Sequence, residues 1–142
     1  MSALIEIIGE TLMSKEGGIA IETLAGVKIF LLYFSATYCG PCQNFTPILE
    51  EFYEMMNEDR KDIEIIFVSH DRTEEEMMEY YKKMPWLYIP FSDEKTTTLR
   101  SRYEIKGIPV LMALKPTGEL VTKDARMHVC TKGESALKFW LK

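Results

Sequence analysis

A chain of 142 residues with 46% apolar and 27% charged side chains is sized for one compact domain rather than two. Such a chain buries roughly 68–70% of its unfolded surface, so it can hold a fold without disulfide staples or a structural metal. Lys and Arg number 17 against 22 Asp and Glu, a net charge of −5 with no basic block, which argues against a nucleic-acid partner.

Residues 1–10 carry Glu6 and Glu10 and no basic cluster, so they do not read as a secretory signal. The longest strongly apolar stretch, Ile29 to Phe34, falls far short of the roughly 20 residues that cross a bilayer, so no membrane span is expected. The expected location is cytoplasmic. Three cysteines there should be mainly reduced, and any that cycle should be catalytic. Residues 1–20, with Gly17-Gly18, read as an N-terminal extension or an added edge strand of one domain spanning 1–142.

Ile29-Phe30-Leu31-Leu32-Tyr33-Phe34 is a continuous apolar run of β-formers, which predicts a strand buried on both faces. After Cys39-Gly40-Pro41-Cys42, residues Phe45, Ile48, Leu49, Phe52, Tyr53, Met55 and Met56 are spaced for one face of a helix. Pro41 suits the first turn, and Pro47 should bend the helix by removing a hydrogen bond. Residues 62–69 predict a second central strand, completing a β-α-β unit. Thr73 and Glu76 have capping-box spacing, and the helix they open should run to Pro85. A shorter helix over 97–103 is expected to close at Lys106-Gly107. Residues 110–114, a Pro116-Thr117-Gly118 turn and residues 120–122 form a predicted hairpin, and 134–141 a final helix. The expected fold class is α/β, a mixed sheet with helices on both faces.

Two thiols spaced by two residues at a helix start can approach within disulfide range, so the spacing permits reversible oxidation. Cys39, at the helix N-terminus, faces unpaired backbone N–H groups and the positive end of the dipole, which favours its thiolate. Cys39 is therefore assigned as the nucleophile, and Cys42, one turn inside, as the thiol that resolves a mixed disulfide. Two alternatives remain for the same residues. The pair could bind a metal with His128 and Cys130, or be an unused remnant on a non-catalytic interaction module. Pro109 stands where a central strand has no place for proline. A cis Ile108–Pro109 bond would explain it, with a trans strand-start proline as the alternative.

Together these features resemble the thioredoxin superfamily: the Cys39-Gly40-Pro41-Cys42 motif after a buried strand, Pro47 inside the helix, and Gly107-Ile108-Pro109 before a hairpin. More closely, Tyr33-Phe34-Ser35-Ala36-Thr37-Tyr38-Cys39, Phe45-Thr46-Pro47, Ile66-Phe67-Val68-Ser69, Lys83-Met84-Pro85-Trp86 and Pro90-Phe91 resemble tryparedoxins and the nucleoredoxin domain, over about residues 20–142. The resemblance implies a thioredoxin-like fold and a dithiol that reduces protein disulfides. It implies no bound cofactor beyond the redox-active Cys39–Cys42 disulfide. The implied partners are protein disulfides and a donor of electrons, either an upstream flavoprotein reductase or a low-molecular-weight thiol such as glutathione. It also implies a cis proline at Pro109 lining a substrate groove that Tyr38, Trp86 and Ile108 border, with core packing the other reading of these side chains. Two positions depart from a pattern. The inner Gly40-Pro41 is that of thioredoxin rather than of the tryparedoxin Pro-Pro, and Tyr33 stands where thioredoxins have a buried Asp, as it does in the tryparedoxin-like group. Proton transfer at Cys42 must then use water or another group.

Among the remaining residues, Cys130 is expected to be a small packing residue. The nine methionines are expected to be core or ordinary helix residues. His70-Asp71 follows a strand end, with a capping role foreseen for Asp71.

Overall fold

The computed structural model describes residues 2–142; Met1, the first residue of the N-terminal stretch read above, lies outside them. In chain order the elements are α1 (Ser2–Ile8), β1 (Thr11–Ser14), β2 (Gly17–Ala20), β3 (Ile29–Ser35), α2 (Gly40–Met56), β4 (Ile63–Ser69), α3 (Glu74–Tyr81), β5 (Leu87–Tyr88), α4 (Glu94–Arg102), β6 (Val110–Leu114), β7 (Leu120–Thr122), α5 (Ala125–Lys132) and α6 (Ala136–Trp140). The strands form one sheet in the order β2-β1-β5-β4-β3-β6-β7. Pairing is parallel from β5 through β4 to β3 and antiparallel from β3 through β6 to β7. The fold is thioredoxin-like, a mixed seven-stranded sheet with helices.

The continuous apolar run of β3 is buried at every position. Its odd residues, Ile29, Leu31 and Tyr33, pack under α2, α3, α5 and α6, while Phe30, Leu32 and Phe34 pack with residues of α1 and α4. Alternation in a pleated strand thus sends one set to each face, and both faces need helices. Glu64 is buried among these strands, but it accepts from Tyr53 Oη at 2.8 Å and Ile65 N at 3.0 Å, and pairs with Lys61 Nζ at 2.8 Å. A buried carboxylate with its lone pairs occupied in this way is tolerated.

The N-terminal residues supply the expected edge: Leu12 pairs with Ile19 in the β1–β2 hairpin, and β1 joins the sheet through Met13 and Tyr88. Of the capping box, the N-cap half forms: Thr73 Oγ1 accepts from Glu76 N at 3.1 Å, and the Glu76 side chain turns back onto the Thr73 hydroxyl, which donates to its Oε1 at 3.1 Å. Its helix ends at Tyr81, four residues before Pro85.

Two helices differ from the sequence reading. The helix placed at 97–103 begins at Glu94, because the Asp93 side chain accepts from Lys95 N at 2.9 Å and caps it. Gly107 does not close it. Glu104 takes the left-handed conformation (φ 53°) there, and Ile105 N donates to Arg100 O at 2.9 Å to satisfy a terminal carbonyl. The final helix placed at 134–141 is the shorter α6, and a helix the sequence reading did not foresee, α5, precedes it; the two are separated at Gly133, whose φ of 53° breaks the regular turn. The helix α2 runs unbroken through Pro47, whose ring lies on the exposed side.

Because β3 is paired on both edges and covered on both faces, Leu31→Ala should leave a cavity the sheet cannot collapse into. It is expected to lower unfolding free energy by about 3 kcal/mol, read from urea denaturation at unchanged m-value.

Candidate active site

The strand β3 ends at Ser35, and a three-residue turn carries the chain into α2. Four bonds set that turn. Thr37 N donates to Asp71 Oδ1 at 2.7 Å, Cys39 N to Ala36 O at 3.2 Å, Gln43 Nε2 to Thr37 O at 2.8 Å and Thr37 Oγ1 to Glu76 O at 3.2 Å. Asp71 is in turn held by Ser69 Oγ, which donates to its Oδ2 at 2.7 Å. The capping role foreseen for Asp71 in its own loop is thus played across the fold, on the turn before the dithiol.

Cys39 is the N-cap of α2, and its sulfur accepts from Cys42 N at 3.2 Å. Cys39 and Cys42 are disulfide-bonded with Cα atoms 5.2 Å apart. Their exposure differs slightly: Cys39 is 9% exposed and Cys42 0%. Gly40 and Pro41 lie between them on the exposed first turn.

The Ile108–Pro109 bond is cis, and the Ile108 carbonyl oxygen lies 3.9 Å from the Cys39 sulfur. Pro109 is buried and Ile108 half-buried. Tyr38 is exposed, its hydroxyl donating to His70 O at 3.3 Å while the Arg72 guanidinium lies 5.1 Å over its ring. Trp86 is not on this face. It is 1% exposed, edge-on to Tyr33 and Tyr53 with ring centroids 6.1 and 5.6 Å away, so the packing reading applies to it. An indole that large fills core volume under α2.

Tyr33 stands behind the dithiol. Its hydroxyl donates to Cys42 O at 3.3 Å and lies 2.7 Å from Thr46 Oγ1. Burial, reinforced by the neighbouring Tyr80, pushes its phenol far above the ordinary value, so it stays protonated. It cannot replace a carboxylate as a charge; it supplies a hydroxyl.

The alternative metal set is not assembled. His128 Nδ1 accepts from Trp140 Nε1 at 3.0 Å inside the core, and no cluster of three or more His, Cys, Asp or Glu suited to a metal occurs among the described residues. Cys130 does not pack inside: it is exposed on α5, because that helix begins at Ala125 and buries Ala125, His128 and Val129 instead. Met77, Met84 and Met112 do fill core, but Met127 is exposed. With Arg126, Met127 lines a hollow of about 220 Å³ beside Pro109 and Val110. The sequence reading missed both residues, since their region was expected to lie before the last helix and only the packing of α5 on β6 brings them beside Pro109.

Residues 26–120 match the family described as thioredoxin-like. The chain belongs to that family. It is 44% identical over 128 residues to the Arabidopsis thaliana protein named Probable nucleoredoxin 1, covering 89% of this chain and 22% of that protein. It is 37% identical over 131 residues to the tryparedoxin of Trypanosoma brucei brucei, covering 91% of this chain and 90% of that one. The chain therefore spans under a quarter of the first relative and nearly all of the second. Among solved structures, tryparedoxin II complexed with glutathionylspermidine superposes with a TM-score of 0.86 at 33% identity, covering 94% of each chain.

His70 flanks this site. Its N donates to Ser35 O at 2.9 Å, its ring is edge-on to Phe34, and its Nε2 is buried with no hydrogen-bond partner among the described residues. Burial first, then the Arg100 charge, lowers it to about 4, against the opposing pull of Asp71. The unfolded chain binds that proton more readily, at about 6.5, so the folded state's advantage is full above that value and is lost as pH falls towards 4. Urea midpoints at pH 7 and pH 4.5 are expected to fall less for His70→Gln than for the unaltered protein, and equal falls would count against this origin.

Proposed function

We propose that the chain is a thiol-disulfide oxidoreductase that reduces protein disulfides, with Cys39 as the nucleophile and Cys42 as the resolving thiol. The observation that carries this reading is the asymmetry of the pair. The Cys39 sulfur caps the 17-residue helix α2 and accepts a backbone N–H, and Cys39 keeps a small exposed surface where Cys42 has none. A thiolate at that position gains from the unpaired N–H groups and the helix dipole, and thiolate is the attacking species.

The cycle follows. Reduced Cys39 attacks a partner disulfide, forming a mixed disulfide and releasing one partner thiolate. Cys42, deprotonated, attacks the Cys39 sulfur, the second partner thiol leaves, and the Cys39–Cys42 disulfide remains. The cis Ile108–Pro109 segment, with its carbonyl 3.9 Å from the Cys39 sulfur, and exposed Tyr38 form the groove in which a partner strand lies. A further thiol must then reduce the enzyme disulfide. The tryparedoxin complexed with glutathionylspermidine supports a low-molecular-weight thiol as that donor, with an upstream reductase as the other route.

Dithiothreitol-driven reduction of insulin tests the reading. The unaltered chain should accelerate it, Cys39→Ser should return it to the dithiothreitol background, and Cys42→Ser should accumulate a mixed disulfide on Cys39 visible by mass spectrometry. No acceleration by the unaltered chain would leave the non-catalytic binding module as the better description.

A further inference from the structure

Arg100 is a half-buried cation without a partner: among the described residues its guanidinium forms no ion pair and no hydrogen bond. A second polar group nearby is in the same condition, since His70 Nε2 is buried with no hydrogen-bond partner among the described residues. Both residues line one cavity of about 310 Å³, where the loop after β5 and the first turns of α4 face the C-terminal end of β4. That volume is far larger than the roughly 30 Å³ of one water. Polar groups left unpaired inside a fold are costly, so two of them at one hollow call for an occupant that answers both.

The chemistry of the walls defines that occupant. Burial, and then the charge of Arg100, keep His70 neutral at pH 7 against the pull of Asp71, so its ring brings a hydrogen-bonding nitrogen and no charge. Two acids also line the cavity, and both are engaged within the protein. Asp71 accepts from Thr37 N and from Ser69 Oγ, each at 2.7 Å, and Asp93 accepts from Lys95 N at 2.9 Å with Lys95 Nζ 3.7 Å away. Arg100 therefore balances one negative charge, and the neighbouring Asp71 and Asp93 disfavour a second, which selects a monoanion over a phosphate dianion. The paired N–H groups of a guanidinium match the two oxygens of a carboxylate. Thr96 and Thr97 add hydroxyls from α4, while Met77, Ile89 and Phe91 give an apolar wall for a short carbon chain. The volume stands at the lower limit of small-molecule sites, so the ligand is small.

We propose that this cavity binds a small organic monocarboxylate, its oxygens held by the Arg100 guanidinium and the His70 imidazole and its carbon chain lying against Met77, Ile89 and Phe91. In the complex His70 Nε2 carries the ring proton and donates it to the carboxylate. The site stands apart from the dithiol but shares its support. His70 O accepts from Tyr38 Oη at 3.3 Å, and Asp71 holds Thr37 N in the turn before Cys39. Binding involves no covalent step and does not depend on the disulfide cycle.

Butyrate is the probe, titrated at pH 7 into the full chain with its disulfide closed, at an ionic strength held constant with chloride. NMR follows the His70 ring and the Thr96 and Thr97 amides, and the buried His128 ring, bonded to Trp140, reports an intact core. The His70, Thr96 and Thr97 signals should shift saturably, with half-saturation on the order of 10 mM for so small a ligand. Arg100→Gln should weaken binding at least about tenfold and Arg100→Lys by less. His70→Phe, which keeps a ring and removes its nitrogens, should weaken binding about fivefold, read from the two amides. Shifts that grow linearly to about 100 mM, the mark of a hollow that holds only solvent, would overturn the site. An unchanged half-saturation in Arg100→Gln would also overturn it, as would inorganic phosphate binding at least as tightly as butyrate. Because the disulfide stays closed throughout, a failure of insulin reduction leaves this result standing, and a failure of butyrate binding leaves the disulfide cycle standing.

Discussion

The strand β3 is the constraint on which the rest depends. It is sealed on both faces, bonded to β4 along one edge and to β6 along the other, so its C-terminal end has little freedom. That end hands the chain directly to the turn before Cys39. A thiol at a helix start gains reactivity from N–H groups whose direction is fixed only if the helix itself is fixed. The buried run and the reactive sulfur are therefore one design: the first supplies the rigidity that makes the second's electrostatics persistent. The same strand places Tyr33 behind Cys42 and aligns β6 so that the Ile108–Pro109 bond comes up beside Cys39.

Directly behind the dithiol, the polar groups are satisfied by neutral partners. The groups bonded to the Cys42 carbonyl and to one another behind the dithiol are hydroxyls, and Tyr33 stays protonated in its desolvated setting. A buried charge beside a sulfur that alternates between thiol, thiolate and disulfide would be poorly solvated in some of these states. Hydroxyls adapt to each by rotating. The carboxylate that braces the turn, Asp71, comes from the neighbouring strand end, where Ser69 holds it.

Much of the architecture was legible in local patterns. The apolar run of β3, the N-cap at Thr73 and the hairpin across Pro116-Thr117-Gly118 each carry their signal within a few residues, and each forms where expected. The misplaced boundaries share a cause. For α4 the Asp93 cap competed with a less polar later start, and Glu104 accepted a left-handed φ that the sequence reading assigned to Gly107. At the C-terminus the reading placed one helix after Gly133, whereas the chain forms α5 before that glycine and the short α6 after it. Backbone conformations at helix ends are settled by which carbonyls and N–H groups find partners, and several residues compete for them.

The sequence by itself determined the chemistry: two thiols at the spacing of one helical turn, the proline before a strand, the strand that precedes them, and the absence of a carboxylate at Tyr33. Each is a property of residue type and short-range order. Only the tertiary structure decided which side chains face that chemistry. Trp86 belongs to the core and Tyr38 to the surface; Arg126 and Met127 line a hollow beside Pro109, and Thr46, Tyr80 and Ser35 join behind Cys42 from three separate elements. Contacts between residues far apart in the chain depend on how whole faces pack, and an aromatic or a threonine carries no local mark of which face it will meet.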